Sequence, residues 1–175
     1  MAIGVAEAES VKLTIKQIGK FGWFSPRATT GRYRSVLDAL KAHYKYISSK
    51  AEIVIGDFNS FLRKAEDELK RLANPRIALK FFIAVPTNWK PEEAIKKVKS
   101  YVMKKFNIPA DNLILAFHSH EENPHVHVLV FPKTIDGKKL RIQPRDLKAF
   151  NDDWEKELIK EGYRIFKLPE SLKKI

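Results

Sequence analysis

The chain has 175 residues, 44% hydrophobic and 31% charged, a balance that fits one folded domain and excludes a disordered chain. Cysteine is absent, which excludes disulfides, thiolate metal sites and cysteine nucleophiles together and suits a reducing cytoplasm. Lysine and arginine number 33 against 21 aspartate and glutamate, a formal net charge of +12 that attracts polyanions and places nucleic acid ahead of a membrane surface or an acidic protein as partner. A thermophile-like surface of paired lysines would explain many of these charges but not their imbalance. No apolar run approaches the roughly 20 residues that a membrane helix needs. The opening MAIGVAEAES has no basic stretch leading into an apolar core, so no secretory leader is expected.

From Val11 to Ile18, Val11, Leu13 and Ile15 alternate with Lys12, Thr14 and Lys16, the period of a strand with one buried face. GKFGWFSPRATTGR, residues 19–32, then reads as a long loop rich in glycine and aromatics and carrying Arg27 and Arg32. Such a mixture suits base stacking and phosphate contacts on a single strand, and equally an aromatic edge to the core. Over Tyr33 to Ser49 the period becomes helical, with Tyr33, Leu37, Leu40, Tyr44 and Ile47 on one stripe. At about 100° per residue, Tyr46 points roughly 140° away from the middle of that stripe. Tyr33 and Tyr44 thus read as packing residues, and Tyr46 does not.

Glu52 to Ile55 (EIVI) can form an edge strand, after which Asp57 or Asn59 can cap a helix to about Ala73 with Phe58, Phe61, Leu62, Ala65, Leu69 and Leu72 inward. Ile77 to Val85 is too continuously apolar for an exposed face and predicts a central strand closed by Pro86. Pro91 opens a helix to about Phe106, burying Ile95, Val98, Val102 and Phe106. Two strands, Asn112–His118 and His125–Phe131, follow as a hairpin, and a last helix runs from about Arg145 to Glu161 before Gly162. There is no repeat and no linker. The expected fold is a single α+β domain over residues 1–175, an antiparallel sheet of about five strands with helices covering one face.

Four of the five histidines fall in the stretch AFHSHEENPHVHVLVF. His125 and His127 lie two apart on a strand, so both imidazoles leave one face of the sheet, and the hairpin returns His118 beside them. Three neutral imidazoles with coordination positions left over form the pattern of a catalytic divalent-metal site rather than a closed structural one. Glu121 can add an oxygen ligand or a base, and His120 can face solvent in the turn. A metal site on a basic domain suggests Lewis-acid activation of a phosphodiester, and no second acidic cluster points to a two-metal nuclease. The nucleophile can be water or an exposed tyrosine such as Tyr46.

These residues carry a family resemblance. HSHEENPHVHVLV resembles the three-histidine motif of plasmid mobilization relaxases in the HUH endonuclease superfamily, in the branch that contains the T-DNA border endonuclease. That motif reads His, any residue, an acidic residue, a spacer, then Pro-His-x-His and an apolar run. His118 takes its first place, and Pro124, His125 and His127 its last, while His120 stands at the acidic position and leaves Glu121 as the acidic neighbour. YISSKAE resembles the branch's Tyr-Leu-Ser-Arg-Lys-Gly segment around the nucleophilic tyrosine, with Ser49 and Ala51 replacing arginine and glycine. GKKLRIQPRDLKAFNDDWEKEL resembles the strand and helix after the histidine motif, so the likeness spans about residues 30 to 165.

The resemblance implies a ferredoxin-like HUH palm and single-stranded DNA cleavage at a plasmid transfer origin, with accessory plasmid proteins as further partners. Tyr46 would attack the scissile phosphate, and Mg²⁺ or Mn²⁺ on His118, His125 and His127 would hold its oxygens. A 5′-phosphotyrosine and a free 3′-hydroxyl would result. Arg27, Arg32, Arg34, Lys50, Arg141 and Arg145 are candidate contacts to the DNA backbone. Two rivals stand beside this reading. One is an HUH replication initiator or single-strand transposase, the latter using a tyrosine after the histidine motif, where only Tyr163 lies; the other is a relaxase-like module that grips DNA without cutting. Histidine-triad nucleotide hydrolases fit less well, because Leu129 stands where a further histidine belongs.

Overall fold

The computed structural model describes residues 10–12, 18–27, 35–119 and 124–166. Its elements are β1 (Ser10–Lys12), β2 (Ile18–Phe24), α1 (Val36–Ser49), β3 (Ile53–Ile55), α2 (Phe58–Arg71), β4 (Ala78–Ala84), α3 (Pro91–Phe106), β5 (Leu113–His118), β6 (His125–Val130), α4 (Pro144–Lys160) and β7 (Arg164–Phe166). The helix ends follow local chemistry. The Ser35 hydroxyl accepts from the Asp38 amide at 3.2 Å to start α1, and the Asp57 carboxylate accepts from the Ser60 amide at 3.2 Å to start α2. Pro91 opens α3, which Asn107 ends in a left-handed conformation at φ 55°. Gln143 and Asp146 form a reciprocal cap on α4, and Gly162, at φ 95°, follows its end.

Five strands form one antiparallel sheet in the order β2-β4-β6-β5-β3. Helices lie on both of its faces rather than one. Leu79, Phe81, Ile83, Val126, Val128 and Val130 pack with α3 and α4, whereas Ala78, Ile114, Ala116, Leu129 and Phe131 pack with α1 and α2. The cause is visible in the central strands: β4 and β6 carry apolar residues on alternate and intervening positions alike, and such strands need cover on both sides.

A further expectation is corrected. Residues 19–24 belong to a strand and not to a loop; β2 pairs with β4 from Ile18↔Ile83 to Phe24↔Ala78. Its register shifts between Gly19 and Gly22, where one extra residue breaks the period-two pattern and conceals the strand from a sequence reading. Phe21 stacks on Phe81 at 4.9 Å, so this aromatic stretch serves the core. The expected strand from Val11 to Ile18 is represented by Ser10–Lys12, which pairs in parallel with β7 in a separate two-stranded sheet. Residues 13–17 of it lie outside the described residues, as does Tyr33.

Candidate metal centre and nucleophile

The hairpin of β5 and β6 pairs His118 directly with His125 and places His127 opposite Ala116. Directly paired residues share a face, so His118, His125 and His127 all emerge towards α1. Their ring centroids are 4.5 to 5.4 Å apart, and one ligating nitrogen from each lies within 4.8 Å of the others. Phe82 of β4, the cross-strand partner of His127, walls the group with its ring 5.3 Å from His125 and 6.0 Å from His127.

The donor set fits a divalent cation. The Nε2 atoms of His125 and His127 are 3.1 Å apart. Two nitrogens each about 2.1 Å from one ion and at right angles would be about 3.0 Å apart. His118 is oriented differently: its Nε2 lies 2.7 Å from the carbonyl oxygen of Ile47. A carbonyl only accepts, so Nε2 carries the proton and Nδ1 carries the lone pair. Fixing the tautomer of a ligand histidine through its second nitrogen is a recurrent feature of metal sites. Here the bond has a second consequence. Ile47 follows Tyr46 in the chain, so the hydrogen bond ties the tyrosine's helix turn to the histidine cluster.

Tyr46 is 55% exposed, with its ring 6.4 Å from that of His127. The Lys50 ammonium lies 5.8 Å from the centre of the Tyr46 ring. The remaining described tyrosines are engaged elsewhere. Tyr44 stacks on Phe58 at 4.0 Å, and the buried Tyr101 hydroxyl donates to the Phe150 carbonyl. The Tyr163 oxygen accepts from Trp89 Nε1 at 2.8 Å and donates to Asn88 at 3.2 Å.

Among the described basic candidates, only Lys50 is brought beside the tyrosine. Arg27 is exposed, with its amide bonded to the Asn74 side chain at 3.0 Å. Arg141 lines a groove with Arg76, Lys133 and Lys139 near the end of β6 remote from His125, and Arg145 is exposed on the first turn of α4. Arg32, Arg34, His120 and Glu121 lie outside the described residues.

Two side chains at the site belong to no motif. His43 sits one helical turn before Tyr46, with its ring 6.5 Å from both Tyr46 and His127. The spacing of three on α1 could have placed it there from sequence. Lys80, the lone charge in the apolar run of β4, lies on the same sheet face. Burial, and then the Lys80 charge, lowers the pKa of His43 from its ordinary 6.5 to about 4. The folded protein therefore holds fewer protons than the unfolded chain between those values. Stability from this group is fully present above pH 6.5 and declines as pH falls through 4, by about 2 kcal/mol after allowance for the ring's partial exposure. Denaturant unfolding in a chelating buffer checks this: His43→Gln is expected to flatten that part of the wild-type pH dependence. Parallel curves for the two proteins would refute it.

This fold and site define a class, an α+β sheet protein with a three-histidine centre facing an exposed tyrosine. A solved structure reported as "Molecular Basis of Vancomycin Resistance Transfer in Staphylococcus aureus" shares the fold, with a TM-score of 0.57 over 88% of this chain and 97% of that one at 14% identity. No protein of curated function is significantly similar in sequence. The MobA/MobL family profile matches residues 38–165, and the chain belongs to that family of mobilization relaxases. Among the described residues, no helix is long and apolar enough to cross a membrane.

Proposed function

We propose that the protein is a divalent-metal-dependent, tyrosine-dependent HUH endonuclease that nicks single-stranded DNA at a plasmid transfer origin, with residues 1–175 acting as one nuclease domain in the cytoplasm. The observation that carries this reading is the exposed Tyr46 beside His118, His125 and His127 on one sheet face, with Ile47 bonded to His118. A cation on the three imidazoles would supply Lewis-acid withdrawal of charge from the non-bridging oxygens of a phosphodiester. Tyr46 Oη forms a bond to phosphorus as the bond to the 3′ oxygen breaks; the phenol proton leaves to solvent or a base, and the 3′ oxygen takes up a proton. One phosphodiester replaces another, so the strand can be rejoined by the reverse reaction. Lys50, whose ammonium lies beside the Tyr46 ring, is a proposed contact to the DNA backbone. Arg27, Arg32, Arg34, Arg141 and Arg145 are proposed backbone contacts, Glu121 a further ligand or base, and accessory plasmid proteins the partners that expose the strand.

The test is a denaturing gel of protein, Mn²⁺ and single-stranded oligonucleotides tiled across the replicon that encodes the chain. A slow, DNA-containing protein band that EDTA abolishes is the expected result. Cleavage without a covalent band would make water the nucleophile, and salt-sensitive binding without cleavage would leave a DNA-gripping module.

A further inference from the structure

Lys80 is an unusual residue for its place. It interrupts the apolar run of β4, where a charged side chain is costly to bury, and it is half-buried. Its stem crosses the β2 backbone at Gly22, its cross-strand partner; a Cβ at Gly22 would stand 2.9 Å from Lys80 Cε. Its ammonium rests 5.7 Å from the centre of the Phe24 ring. Among the described residues, no carboxylate forms an ion pair with it. Along β4 it stands two residues from Phe82, the partner of His127, and so shares the histidine face about 7 Å further along the sheet. A cation thus lies on the histidine face, its stem over Gly22 and its ammonium beside Phe24, whose ring in turn lies 5.7 Å from that of His43.

We propose that Lys80 is a phosphate-contacting residue of this site, its ammonium taking a backbone phosphate of the DNA strand next to the one that Tyr46 attacks. This rests on the reading of the protein as a single-strand nuclease and adds to it a specific contact that sets how the strand lies. Surface lysines hold a strand by loose charge attraction. A lysine anchored between Gly22 and Phe24 instead offers its charge at one place, so it orients the scissile group and does more than raise affinity.

The experiment couples protein and DNA changes. Adduct formation and binding are measured for wild type, Lys80→Met, Lys80→Arg and Gly22→Ala, on oligonucleotides bearing one neutral methylphosphonate at each position flanking the nick. Lys80→Met is expected to slow adduct formation at least about tenfold and to reduce the slope of log affinity against log salt by about 0.7, one single-strand counterion. At one flanking position the methylphosphonate should impair wild type but leave Lys80→Met unchanged, and Lys80→Arg should retain most of the rate. Gly22→Ala keeps the lysine but pushes its flexible stem aside, so it should reproduce part of the loss in a folded protein even if Lys80→Met proves unstable. Equal sensitivity of wild type and Lys80→Met at every position would overturn the assignment and leave Lys80 as cover for Phe24. If wild type neither binds nor cuts any single strand, the nuclease reading itself falls, and this contact falls with it.

Discussion

Tyr46→Phe is expected to abolish the covalent protein–DNA band and to lower strand cleavage at least about 10³-fold, since among the described residues no other tyrosine stands beside the histidines. The substitution is clean. The ring is 55% exposed, Lys50 keeps an aromatic face to rest on, and the Ile47–His118 hydrogen bond is backbone-to-ring and survives. Stability should change by less than about 0.5 kcal/mol, as for an ordinary surface substitution. Two controls sharpen the result. Tyr44→Phe preserves the stack on Phe58 and should leave the band intact. Tyr163→Phe removes hydrogen bonds to Trp89 and Asn88 and should cost about 1 kcal/mol of stability without removing the band. A band that survives Tyr46→Phe and disappears with Tyr163→Phe would replace the proposed arrangement by that of a single-strand transposase.

The elements that position this site were legible because they obey simple periods. The alternation through His125, His127 and Leu129 places two imidazoles on one face, and the helical stripe through Leu37, Leu40, Tyr44 and Ile47 sends Tyr46 out of the packed side of α1. What was not legible has physical causes. β2 was concealed by a bulge and two glycines, since a strand that gains a residue halfway loses its period. β7 is three residues long, and its parallel partner β1 lies at the other end of the sequence, so local pattern carries no trace of the pairing. The cover on the second sheet face followed from a fact already visible, the apolarity of β4 on both faces apart from Lys80, whose consequence concerns tertiary packing. His43 and Lys80 were overlooked for a related reason. Neither belongs to a motif, and their nearness to the histidines arises only when β4 and α1 are laid on the same face.

That juxtaposition also gives the site its electrostatic order. The Lys50 and Lys80 cations lie beside a cluster of imidazoles, with His43 held neutral by burial. An anionic substrate would find complementary charge there, beside the imidazole nitrogens proposed to hold a metal. The arrangement agrees with the chain's overall excess of +12 but is more specific, because net charge alone attracts any polyanion and cannot orient one.

Removing one proposed ligand should be nearly as damaging as removing the proposed nucleophile. His127→Ala is expected to weaken Mn²⁺ binding by more than about 100-fold, since changes to residues one step further from a metal already cost 10- to 100-fold. His127 is the appropriate target: its ring lies closest to both other histidines and faces Tyr46, and it is half-buried, so truncation opens space to solvent rather than a sealed cavity. Binding is read by calorimetry or by the paramagnetic resonance of free Mn²⁺, independently of cleavage, and the covalent band is then followed as metal is raised. The donor chemistry also predicts an order among metals. Three neutral nitrogens are a poor match for Mg²⁺, which prefers oxygen and gives up water reluctantly, so Mn²⁺ should support adduct formation at a concentration at least about tenfold lower. Equal potency of the two metals would mean that oxygen donors from the substrate, or from residues such as Glu121, dominate the coordination. Unchanged Mn²⁺ affinity in His127→Ala would remove the metal centre from the three histidines altogether, and their convergence with Tyr46 would then need a different chemistry.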